Sequence, residues 1–238
     1  MPIEPLAPIS HPWGMPAAEA IALQRRLAPL VAAAPPIALE NVRVVAGVDV
    51  SYDDTVGEAY AAVVVYSYPA LERLAETALT RPCAFPYVPG LLSFREAPVA
   101  VEALAALSTR PDLLLCDGQG IAHPRRFGLA CHLGALTGLP SVGCAKSRLV
   151  GSCDEPGRAM GDHTPLRAGG DVIGAVLRTR PSARPLFISP GYRVTLEQAL
   201  EVTLRCLRGR RLPEPTRAAD SLAAATRRAR PTRARSSE

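Results

Sequence analysis

Asp117 ends the run Leu113-Leu114-Leu115-Cys116 and begins Gly118-Gln119-Gly120. Four apolar residues in a row read as a strand buried on both faces. The two glycines let the chain turn away and let a ligand approach the backbone closely. A carboxylate at the end of a buried strand is costly unless something pairs with it. Strand ends are also where open α/β sheets place their chemistry. A divalent cation is one partner that fits; the alternative is a turn Asp capping a helix that begins near Pro124. Asp49, in Val45-Ala46-Gly47-Val48-Asp49-Val50, is a second acid of this kind. Strand alternation puts Val45, Gly47 and Asp49 on one face. The alternative is an edge-strand Asp facing water. If the two strands are neighbours, the two acids make a site for a hard cation with oxygen ligands.

Lysine usage adds a third residue. Of 27 basic residues only one, Lys146, is Lys. It ends another apolar run, Ser141-Val142-Gly143-Cys144-Ala145. A compact ammonium with three donors differs chemically from a planar guanidinium. Beside a metal and a phosphate it can hold a water or offset charge in the transition state. Chance composition is the competing explanation.

The elements that must position these residues follow from periodicity and turn signals. Pro16 to Val31 reads as a helix, with Ala20, Leu23, Leu27 and Leu30 near one face. Strands are expected at about 42–51 and 60–68. The stretch 71–81 favours helix by residue type but reads as a third strand after a tight turn at Tyr68-Pro69-Ala70. Pro98 to Leu107 reads as a helix with Pro in its first turn, and Pro124 to Leu136 as another. Residues 113–116 and 141–145 are strands, and 151–170 is a polar loop. A strand pair is expected at 172–179 and 186–189. Helices follow at 195–208, with Thr195 near the cap, and at 215–225. Strands first, then strand–helix alternation, predict one α/β domain with a mixed sheet.

The 238 residues suit one large domain or two small ones. Apolar residues make up 48% and aromatics only 5%, so the core must be aliphatic. No apolar run approaches the roughly 20 residues of a membrane span, and the N-terminus has no secretory pattern. Six Cys occur without a C-x-x-C pair, which suggests reduced thiols and a cytoplasmic location. Net charge is +5, and ten Arg against two acids fall between Arg205 and Arg235. A basic arm there is compatible with a polyanionic partner, while the residues beyond about 225 read as a disordered tail.

Four segments together resemble the endonuclease V family, the deoxyinosine-specific DNA repair nucleases. They are Val45 to Ser51; Phe85-Pro86-Tyr87-Val88-Pro89-Gly90 with Phe94-Arg95-Glu96; Asp117 to Arg125; and Val142 to Ser147. Ile188 to Gly191 and Leu212 to Asp220 also look like the family, so the likeness spans about residues 40–225. It implies a ribonuclease H-like α/β fold, a mixed sheet flanked by helices in a single domain. Residues 1–39 would pack on the endonuclease domain of 40–225, and 226–238 would form the basic tail. It implies a cytoplasmic, Mg²⁺-dependent hydrolase, with Mn²⁺ as a substitute. The bond cut lies 3′ of a deaminated base. Its metal-binding acids fall on Asp49 and Asp117, with Glu96 on a third acidic position and Asp220 on a fourth that some members fill with His. Glu96 reads alternatively as a first-turn helix Glu before Pro98, and Asp220 as a surface partner of Arg217. Lys146 completes the catalytic group.

A damaged base must leave the stack to be read. Tyr87-Val88-Pro89-Gly90 suits a rigid wedge that holds strands apart; the alternative is a Pro-rich loop whose Tyr packs locally. The family reads the base near glycines, which points to Gly90, Leu92, Gly118, Gly120, Gly128 and Leu149. His123 is a candidate DNA contact or, alternatively, a satisfied helix-start His. Arg95, Arg125 and Arg126 could meet phosphates. The expected partner is DNA carrying deoxyinosine or another deaminated base, with no membrane and no required protein partner. Three rivals stay open: a nuclease for inosine-containing RNA, a non-catalytic nucleic-acid binder, and a nucleotide-dependent phosphotransferase. The last lacks a G-x-x-x-x-G-K-[ST] loop.

Overall fold

The computed structural model describes residues 9–83 and 85–229. The expectations for residues 1–8 and for the tail at 230–238 lie outside them. Apolar runs bounded by turns become strands, and eight of them join in one mixed sheet. Strands β1 (Val44–Asp53), β2 (Glu58–Ser67) and β3 (Arg73–Pro82) form an antiparallel meander. Strands β4 (Leu113–Cys116) and β5 (Ser141–Ala145) run parallel to β1. Beyond them lie β6 (His163–Ala168), β7 (Asp171–Leu177) and β8 (Leu186–Tyr192). The spatial order is β3-β2-β1-β4-β5-β8-β7-β6. This is the expected single-domain ribonuclease H-like α/β fold.

Alternation along the central strands divides the core into two layers. Val45, Leu113, Leu115, Val142 and Cys144 pack beneath helices α4 (Leu196–Arg205) and α5 (Glu214–Arg228). Ala46, Val48, Leu114 and Cys116 pack beneath α2 (Leu92–Ala105) and α3 (Leu129–Thr137). Helix α1 (Ala17–Ala33) lies outside this second layer, its Leu23 and Leu27 packed with Phe94, Phe127 and Cys131. Helix α4 starts where Thr195 and Gln198 close a reciprocal capping box.

The structure departs from the sequence reading at three places. Helix α2 begins at Leu92, so Pro98 sits inside it instead of in its first turn. Ala97, Val99, Ala100 and Ala103 are buried on the sheet, and that burial outweighs the one backbone bond a proline removes. Helix α3 begins at Leu129, five residues after Pro124. The intervening residues turn sharply, with Arg126 at φ 55°. The expected loop at 151–170 holds β6, an edge strand joined to β7 through Gly169-Gly170, both at positive φ. Its exposed, polar residues hide the strand from a hydrophobicity reading.

Candidate active site

Three strands deliver three residues to one place by the same rule. Val45-x-Gly47-x-Asp49, Leu113-x-Leu115-x-Asp117 and Val142-x-Cys144-x-Lys146 each place the last residue on the α5 face. Strands β1 and β4 are neighbours, with Val48 opposite Cys116 and the Asp117 amide donating to the Val48 carbonyl at 2.9 Å. Asp49 and Asp117 therefore lie side by side. β1 is an interior strand between β2 and β4, which removes the edge-strand reading of Asp49. Helix α5 brings the fourth residue. A Cβ on Gly47 would strike the Pro215 carbonyl, so the helix rests on bare strand backbone. Asp220 follows just over a turn later.

Carboxylate oxygens of Asp49, Asp117 and Asp220 all lie within 4.8 Å of one another. Lys146 Nζ stands between two of them, 2.5 Å from Asp117 Oδ2 and 2.6 Å from Asp220 Oδ1. Arg217 pairs with Glu214, so Asp220 is not its surface partner. Burial, then the Asp117 charge, pushes the Asp49 carboxyl up to about 7. Burial also raises Asp117, although Lys146 beside it pulls the other way. Burial opposes the charge on Lys146, but the Asp117 and Asp220 carboxylates outweigh it and hold the ammonium above its usual range. Crowded, half-desolvated carboxylates that resist ionising together form an oxygen donor set suited to a hard divalent cation.

Glu96 reaches the same region from the opposite layer. It lies within α2, not in its first turn, and is buried. Burial raises its carboxyl well above the usual range, and the charges of Asp49 and Asp117 add to that. Its Oε2 and the nearby Tyr52 hydroxyl close no hydrogen bond of ordinary geometry. Glu96 is outside the close trio but within electrostatic reach of it.

Beside the acids lies a pocket of ≈ 120 Å³. Its lining includes Tyr87, Val88, Pro89, Gly90, Leu92, Gly118, His123, Gly128 and Leu149, nine of the ten residues the sequence reading grouped there. Gly118 adjoins Asp117 in the chain, so pocket and carboxylates share a wall. Tyr87 is 69% exposed, Leu149 49% and Leu92 39%; three large exposed apolar side chains ring one opening. Clustered exposure of this kind marks a binding surface. Tyr87 does not pack locally.

Gly120 is the exception. It lies against the Pro190 carbonyl, its amide donates to Ser189 Oγ at 2.8 Å, and its carbonyl accepts from Gly128 at 3.0 Å. With both backbone groups engaged, it supports the pocket from behind. His123 also works inward. The Arg125 amide donates to its Nδ1 (3.2 Å), so Nε2 carries the proton and donates to the Gly90 carbonyl (2.9 Å). Burial, then Arg125, lowers its pKa to about 4 and keeps it neutral. Gln24 and Arg125 donate to the same carbonyl at 3.0 and 2.7 Å. Three donors thus fix the loop that carries Tyr87. Arg95 is stacked on Tyr52 and paired with Asp54, while Arg126 binds the Ala168 carbonyl. None of these three arginines presents an uncommitted guanidinium to a phosphate. Sequence reasoning missed Gln24, because a Gln on an amphipathic helix carries no signal of the carbonyl it will meet.

An open set of strand-end carboxylates on a ribonuclease H-like sheet, beside a pocket with an aromatic lip, defines a nuclease class of site. The endonuclease V family model matches residues 25–221, and the chain belongs to that family. It is 51% identical over 213 residues to endonuclease V of Roseiflexus castenholzii, covering 90% of this chain and 94% of the relative. The endonuclease V structure from Streptomyces avermitilis superposes with a TM-score of 0.86 at 44% identity, covering 94% of this chain and 98% of that one. The human endonuclease V structure gives 0.82 at 37% identity, covering 90% and 98%. A Ciona intestinalis endonuclease V, solved with a 23mer DNA containing an inosine followed by a ribo-adenosine, gives 0.78 at 27% identity, covering 88% and 95%.

Proposed function

We propose that this chain is a Mg²⁺-dependent DNA repair endonuclease that recognises deaminated bases, deoxyinosine above all, and hydrolyses a phosphodiester bond on the 3′ side. The observation that carries the reading is the adjacency of Asp117 and Gly118. One residue belongs to the carboxylate trio and the next lines the pocket. A base held in that pocket keeps its own backbone close to the acids. The inosine-containing DNA bound by the Ciona relative supports the same ligand.

Asp49, Asp117 and Asp220 would hold the cation, with Glu96 completing the set directly or through water. When bound, Mg²⁺ activates water and neutralises charge on the phosphate and the leaving oxygen; Mn²⁺ offers the same hard coordination. Asp49, with its pKa near neutrality, would have to release its proton to serve as a ligand. Lys146 offsets charge that builds on the phosphoryl oxygens. Tyr87 stacks where the extruded base leaves the duplex, and Pro89 stiffens its loop. Helix α2 starts at Leu92 without a side-chain cap, and Leu92 lines the pocket, so its N–H would serve as a donor to a bound base. Six free cysteines accord with the cytoplasm.

A nicking assay on a deoxyinosine duplex, with Mg²⁺ and with chelator, tests this. Cleavage one or more bonds 3′ of the lesion, only with metal, is expected. Asp49→Ala or Asp117→Ala should lower turnover by about a thousandfold or more while retaining DNA affinity. Matched RNA and DNA strands separate the inosine-RNA reading, and unchanged turnover in both variants would refute the cation site.

A further inference from the structure

Ser93 lines the pocket and is 3% exposed. Its Oγ lies 3.0 Å from His132 Nδ1. His132 is fully buried, and burial, then His11, lowers its pKa to about 3, so it is neutral. It carries one proton, and its neighbours decide where. His132 Nε2 lies 2.8 Å from His11 Nε2. His11 Nδ1 lies 2.9 Å from the Pro12 carbonyl, which can only accept. In neutral His11 the proton is therefore on Nδ1, and Nε2 is a bare acceptor. His132 must then donate from Nε2, and its Nδ1 must accept. The hydroxyl proton of Ser93 is the donor to that Nδ1. What Ser93 has left is lone pairs.

A side chain that can only accept is selective for one feature of a base. Adenine presents a ring nitrogen acceptor, N1, beside a 6-amino donor. Hydrolytic deamination turns this into a ring N–H beside a carbonyl. The helix start at Leu92, which lines the pocket and has no side-chain cap, offers an N–H donor suited to the carbonyl. We propose that Ser93 is a specificity-determining residue of this pocket, its proton committed to His132, so that Oγ accepts from the ring N–H that a deaminated purine carries and adenine lacks. This rests on the proposed reading of the pocket as a base site. Guanine also carries N1–H, so Ser93 leaves discrimination against guanine untouched, an internal control. A buried group facing its own kind is costly, so adenine is repelled as well as unrewarded.

Fluorescence anisotropy with single strands carrying one deoxyinosine, deoxyadenosine or deoxyguanosine reads selectivity without turnover or base pairing. The buffer is held at about pH 8, above the ordinary imidazole range. Ser93→Ala should lower the inosine-over-adenine ratio by about tenfold, the worth of one hydrogen bond, and leave inosine-over-guanine unchanged. Ser93→Thr should keep both ratios. His132→Phe frees the Ser93 proton and should lower the first ratio alone. An unchanged first ratio in Ser93→Ala, or equal loss of both, overturns the proposal. Wild-type protein that binds all three strands alike refutes the base-site reading itself.

Discussion

Gly47 on β1 and Pro215 on α5 are in backbone contact, with no room for a Cβ between them. From there the two elements keep step. Five helical residues rise about 7.5 Å, and two strand residues rise nearly 7 Å. Asp220, just over a turn past Pro215, therefore comes level with Asp49. The missing side chain at position 47 sets the position of a carboxylate 173 residues later in the sequence.

Gly47→Ala should push α5 off the strand. Overpacking of this kind costs about 1–3 kcal/mol, so thermal denaturation should show a lower Tm. Mg²⁺ affinity, read by calorimetry, should fall with it. Gly14→Ala, where a Cβ meets nothing within 4 Å, serves as control and should change neither.

Lys146→Arg keeps the charge and loses the fit. The ammonium reaches Asp117 and Asp220 from one point; a planar fork cannot do so without displacing one of them. Turnover on deoxyinosine DNA should drop by about tenfold or more at unchanged Tm. Wild-type rates in this variant would dismiss the argument from a lone lysine.

Tyr87→Ala removes a side chain that is 69% exposed, so stability should stay within about 0.5 kcal/mol. Preference for deoxyinosine over undamaged duplex should shrink. Equal preference in variant and wild type would count against the wedge.

Melting should depend on pH through the acids. Asp49 is raised from 3.8 to about 7 in the folded protein, and Asp117 is raised too. The folded state then holds protons that the unfolded chain has released, and stability falls as pH rises through about 7. Chelator-treated protein should melt several degrees lower at about pH 8 than at about pH 5. Mg²⁺ should restore the loss at the higher pH and do little at the lower. Asp49→Asn should flatten the profile; a metal-free Tm indifferent to pH would contradict the crowding of the acids.

Much of the site was readable because it obeys period two. Asp49, Asp117 and Lys146 each follow apolar positions two and four residues back, and a buried strand leaves that pattern plain. The sheet's centre was readable for the same reason. Asp220 could be tied to the trio only through resemblance, since no local pattern says which strand a helix will cover. β6 escaped because an edge strand needs no apolar face, and the start of α2 because Pro98 mimicked a helix beginning. The Gly90 clamp and the Ser93 relay join residues from distant parts of the chain, and such partnerships leave no trace in spacing.

Because α5 docks on β1 from so late in the sequence, assembly of the carboxylate trio waits for residues 214–228. A fragment ending before residue 214 lacks the fourth acid and the helix that covers Gly47. Contacts of such long sequence separation form slowly and late. Until residues 214–228 fold onto the sheet, Gly47 stays uncovered and the carboxylate trio lacks Asp220.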